Sequence, residues 1–180
     1  MYPHGHFLTV ALPLCVYSVI RYRRLPRGHT LVVILVATQL PDVIDKPLAW
    51  TFDVLPSGRM FAHSLVIAIP VLTVVCLVAT YRGFGRSAGL FSVAYLSHIA
   101  GDFYPVIWLG TDYYSFPNLF WPLLAATPDE KTSLAAYLPS DVTSFVLPLS
   151  VFVLIMGYIA VDFVRYPPQF LREILASDSS

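Results

Sequence analysis

The sequence predicts an all-α fold: a polytopic membrane helix bundle of about five transmembrane helices, with the N-terminus out and the C-terminus in. Three observations carry that reading. Hydrophobic residues fill 57% of the 180 positions and charged residues 12%, against about 25% charged in average soluble proteins, and mean hydropathy is +0.69. Several nearly charge-free runs have the length needed to cross a hydrocarbon core of roughly 30 Å at about 1.5 Å rise per residue. The arginines gather in alternate loops rather than spreading evenly.

The first run, residues 7–20, starts near the N-terminus, but the residues before it lack the basic segment of a cleaved signal peptide. Arg21, Arg23, Arg24 and Arg27 follow it, which puts that loop in the cytoplasm and makes the run a retained first helix. The second run, 30–44, is short for a span, and its length alone also fits a re-entrant or interfacial segment. If it crosses, runs 62–81, 87–109 and 142–161 alternate so that Arg82, Arg86, Arg165 and Arg172 also fall inside, leaving Lys46, Arg59 and Lys131 outside. If it does not, Arg82 and Arg86 face outward against the positive-inside rule. Five crossings are therefore preferred.

The long loop is 110–141. Trp108, Tyr113, Tyr114, Phe116, Phe120 and Trp121, in and beside it, suit the headgroup level. Thr127-Pro128-Asp129-Glu130 matches a capping box with proline at the first helical position, predicting a short interfacial helix to about Tyr137 that Pro139 ends. Residues 1–165 then form a single transmembrane domain and 166–180 a cytoplasmic tail. Lys and Arg total 11 and Asp and Glu total 11, so no basic excess argues for a nucleic-acid partner. Cys15 and Cys76 lie inside apolar runs and read as small hydrophobes rather than disulfide or metal thiolates.

Ionisable groups inside spanning helices are costly and by default functional. His4 and His6 start the first helix, Asp42 and Asp45 end the second, His63 opens the third, and His98 and Asp102 lie in the fourth. The topology, deduced from arginine and lysine alone, brings all of them to the outer side. His98 and Asp102 are i and i+4, and Asp42 and Asp45 are i and i+3, so each pair shares a helix face. His4 also suits a wet N-terminal position, and the two aspartates of the second helix also suit partners of Lys46. Asp162 and Arg165, at the opposite end, read as a structural pair. Imidazole and carboxylate together suit zinc first and manganese or iron as alternatives. Such an ion would offset buried carboxylates, bring the pKa of a water to about 7 in favourable zinc cases, and polarise a phosphoryl or carbonyl oxygen.

The chain resembles the membrane-bound, predicted metal-dependent hydrolases, a group that includes LexA-regulated bacterial inner-membrane members. The likeness rests on Gly5-His6, Leu40-Pro41-Asp42 with Asp45, Arg59 before Ala62-His63-Ser64, Ser97-His98 with Asp102, and Trp121-Pro122. Lys46 and Gly58 stand where the family pattern has histidines. The resemblance implies a hydrolase with a divalent ion held by His6, Asp42, Asp45, His63, His98 and Asp102. Asp45 is an alternative general base and Arg59 an anchor for an anionic substrate.

The expectation is a multi-pass protein of a prokaryotic cell membrane, acting near the outer face on a lipid or other phosphoester. Two competing readings are a small cation or proton transporter with channel-like character, and a non-catalytic membrane scaffold with a degenerate metal site.

Overall fold

The computed structural model describes residues 2–128 and 142–167, and among these the regular structure is entirely helical. Six α-helices follow in order: α1 (Pro3–Tyr22), α2 (Gly28–Lys46), α3 (Leu65–Tyr81), α4 (Gly85–Asp102), α5 (Tyr104–Leu109) and α6 (Val142–Arg165). A π turn, Pro47–Thr51, continues α2, and a 3-10 segment, Tyr113–Phe120, precedes the long loop.

Helix α2 is the centre of the bundle and packs against α1, α4 and α6. Helix α3 packs on α4 and on the 3-10 segment, but not on α2. Phe7, Leu31, Ile34, Ile99 and Phe103 are the bulky members of the core, and Ala11, Ala37 and Ala94 are fully buried among them. Small residues of this kind let helices approach closely, the usual basis of helix packing where lipid replaces water. The outer surface is apolar: Val74, Leu77 and Val78 of α3 and Leu147, Leu154 and Val164 of α6 are exposed. Two helical stretches, Pro3–Tyr22 and Phe145–Arg165, are long and apolar enough to cross a membrane, and Leu65–Tyr81 is apolar but shorter.

The helix ends differ from the expected ranges. Pro3 starts α1, because a proline in the first turn needs no N–H partner, so His4 and His6 lie within the helix rather than before it. Helix α3 begins at Leu65, not at residue 62: the N–H groups of Met60, Ala62 and His63 go to the Asp45 carboxylate, and Ser64 then caps the helix by accepting from Val66 N at 3.2 Å. The run expected over 87–109 is divided at Phe103, since Pro105 has no N–H for the carbonyl four residues back and its ring crowds that turn. Helix α6 extends to Arg165, past the expected end at 161. Residues 113–120, expected as loop, form the 3-10 segment. The expected interfacial helix after Thr127 falls almost wholly outside the described residues, as does most of the tail.

Candidate metal centre

The C-terminal turns of α2 and α4, the start of α1 and the loop before α3 meet at one end of the bundle. Asp45 organises that loop. It is fully buried, and its Oδ2 accepts from Met60 N at 2.9 Å and His63 N at 3.2 Å while Oδ1 accepts from Ala62 N at 2.7 Å. His63 Nδ1 completes the set at 2.9 Å from Oδ2. A carboxylate so surrounded is an ionised acceptor, so His63 Nδ1 carries the proton and donates.

His98 is held in the same manner from the other side. Its Nδ1 lies 2.6 Å from the Thr38 carbonyl oxygen, which can only accept, so Nδ1 donates here as well. With Nδ1 engaged from behind, each ring turns its Nε2 inward, and the two nitrogens are 3.1 Å apart, a contact that takes a positive charge, a shared proton or an ion, between them. Asp42 Oδ1 sits 3.7 Å from His63 Nε2 and 3.8 Å from His98 Nε2. Asp102 Oδ2 sits 3.6 Å and 4.0 Å from the same two atoms.

Four ligand atoms, one each from Asp42, His63, His98 and Asp102, thus lie within 4.8 Å of one another. Asp42 Oδ1 is buried with no hydrogen-bond partner. Two imidazole nitrogens and two carboxylate oxygens thus share one small volume, which favours a positive charge between them. The donor set, two imidazoles and two carboxylates, matches that of a borderline divalent ion, and each imidazole has the outer acceptor that metal-ligating histidines characteristically use. The residues therefore fit a metal ion.

His6 and Asp45 lie outside these four. His6 stacks on the His98 ring at 3.9 Å between centroids, and its Nε2 is 3.0 Å from Asp102 Oδ1, although off the line of a directed hydrogen bond. His4 is turned away, between Tyr2 and Phe145. Two cations border the centre: Lys46 Nζ pairs with Asp42 Oδ2, and Arg59 Nε with Asp102 Oδ2 at 3.0 Å. The histidine and aspartate side chains are at most 9% exposed, whereas those of Lys46 and Arg59 are 21% and 35% exposed, so the two cations lie between the centre and the surface. Gly58 lies so close to the Trp50 indole that an added Cβ would stand 3.2 Å from it.

Several supporting residues were not singled out from sequence. Thr38 contributes a main-chain carbonyl, which every residue possesses, so no sequence signal marks it. Tyr95 donates to the Ala62 carbonyl at 2.7 Å, and its place one turn before His98 on α4 was such a signal. Asn118 is fully buried, donates to Ser57 Oγ at 3.2 Å and accepts from Thr127 N at 2.8 Å. Ser64 and Trp121, both within motifs quoted from the sequence, are joined by a bond from the Ser64 hydroxyl to the Trp121 carbonyl.

Below the loop, an apolar groove of about 430 Å³ runs between α2 and α3 with α4 as its floor. Leu40, Phe61 and Ala62 line its end nearest the centre, and Ala79 and Phe84 its far end.

A family model described as YdjM inner membrane protein matches residues 1–167. No curated protein matches the chain, and no solved structure does.

Proposed function

The chain belongs to the YdjM inner membrane protein family, and we propose, from the His/Asp centre within it, that it is a membrane-embedded, metal-dependent hydrolase of a phosphoester or lipid-linked ester. The observation that carries this reading is the pair of inward-facing Nε2 atoms 3.1 Å apart, each ring fixed from behind, between two buried carboxylates.

Asp42, His63, His98 and Asp102 would hold the ion, with zinc as the first candidate and manganese or iron as alternatives. When bound, it would supply Lewis-acid polarisation of a phosphoryl or carbonyl oxygen and a nucleophile at neutral pH. Asp45 and Thr38 keep the two imidazoles in the ligating tautomer. Asp45 acts here through His63 rather than as a base, because its oxygens already face four N–H groups. Lys46 and Arg59 give an anionic substrate a positive approach, and the guanidinium suits a phosphate geometrically. The groove under the loop would take the apolar part of a lipid substrate.

Five crossings with the N-terminus out place this centre near the outer face. In support, α6 brings Asp162 to Gly28 N at the start of α2, the end bearing the arginine loops, while Phe145 meets Tyr2 and His4 at the other. A proton shared between the two imidazoles would satisfy the same contact, which favours proton or cation transport as the second reading.

Elemental mass spectrometry of the detergent-purified chain separates the two. The hydrolase reading expects about one divalent ion per chain, lost in His98→Ala and in Asp102→Ala. Absence of stoichiometric metal after reconstitution with zinc, manganese and iron overturns it and leaves the proton relay.

A further inference from the structure

At the end of the bundle opposite the histidines, the α1–α2 turn and the last turns of α6 enclose a second pocket of about 420 Å³. Its lining includes Arg24, Arg27, Arg165, Tyr158, Asp162 and Tyr166. Three arginines and one carboxylate therefore share the lining, and that carboxylate is already engaged. Asp162 Oδ2 accepts from Gly28 N at 2.7 Å, tying it to the start of α2, while its Oδ1 is 3.7 Å from Arg27. The fit there is tight, because a Cβ on Gly28 would meet Asp162 Oδ2 at 3.1 Å and the Phe163 ring at 3.0 Å.

The tyrosines are committed too. Tyr158 donates its hydroxyl to the Pro26 carbonyl at 2.8 Å, and the Tyr166 ring lies 4.1 Å from the Arg27 guanidinium. These contacts hold the pocket's shape without neutralising it. Arg24 and Arg165 add two exposed positive charges, and the remaining walls, Leu25 and Val161, are apolar and exposed.

We propose that this pocket binds a phosphate group, with the headgroup of an anionic phospholipid as the source that the apolar walls favour. Guanidinium forks match phosphate oxygens in pairs, and basic pockets between helix ends at the cytoplasmic side of a membrane are sites of this type. The proposal uses none of the histidine and aspartate centre and stands whether or not that centre is catalytic.

The test is ligand binding to the full chain in detergent, followed by thermal shift and native mass spectrometry. The probes are phosphatidylglycerol, phosphatidylcholine and inorganic phosphate, on wild type, Arg24→Gln, Arg165→Gln and an Arg86→Gln control at an exposed site elsewhere. Saturable binding of phosphatidylglycerol over phosphatidylcholine, weakened about tenfold in both pocket variants but not in the control, supports the lipid source. Equally saturable binding of inorganic phosphate with the same variant pattern supports the phosphate site with a soluble source. Phosphatidylglycerol binding that neither pocket variant weakens, or no saturable binding of either phosphate probe, overturns the proposal.

Discussion

Asp45 is the residue on which the centre's geometry turns. Asp45→Asn keeps the size but sets an NH2 group against backbone donors and removes the charge that holds them. We expect a loss of about 3 kcal/mol or more, because several buried N–H groups lose their acceptor together. Thermal unfolding of the purified variant in detergent would check this, with an unchanged midpoint as the contrary result. Asp42, His63, His98 and Asp102 were legible in the sequence as ionisable groups in or beside apolar runs. Their division of labour was not. Asp42 and Asp45 are the same residue type three positions apart, and only the path of residues 60–63 decides which one meets N–H groups and which faces the histidines.

At the scale of the elements, hydropathy marked where helices lie but not where they stop. The start of α3 depends on a carboxylate from another helix, and the division at Phe103 on a single proline in a continuous apolar run. The Tyr113–Phe120 segment is only 8 residues long and holds Pro117, so its apolar residues read equally as an aromatic loop at the headgroup level. Ser64 joins two of these elements, capping α3 and holding the Trp121 carbonyl. Ser64→Ala is expected to cost about 1 kcal/mol from the lost cap alone, read as a lower unfolding midpoint. The connection from α3 to α4 turns through Gly83 at φ 83°, a conformation that disfavours other residues.

For the whole molecule, composition announced an all-helical membrane protein, and the histidines and aspartates expected on one side do gather at one end of the bundle, His4 excepted. The groove between α2 and α3 had no such signal, because it arises where two apolar helices both pack on a third and not on each other. The orientation is open to direct test. In a Cys15→Ser, Cys76→Ser background, a membrane-impermeant maleimide should label Thr51→Cys in intact cells and Arg82→Cys only after lysis. The reverse pattern would place the histidine end in the cytoplasm.

The cage of N–H groups around Asp45 has a consequence for the order of folding and any ion binding. Residues 60–63 take their shape from the Asp45 carboxylate, and His98 takes its orientation from the Thr38 main-chain carbonyl, so both imidazoles are aimed by contacts within the protein. Zinc fingers are the opposite case, since there the ion drives folding. Here contacts within the protein orient the imidazoles, so a chelator is expected to leave the bundle folded, with an unfolding midpoint in detergent that EDTA does not lower.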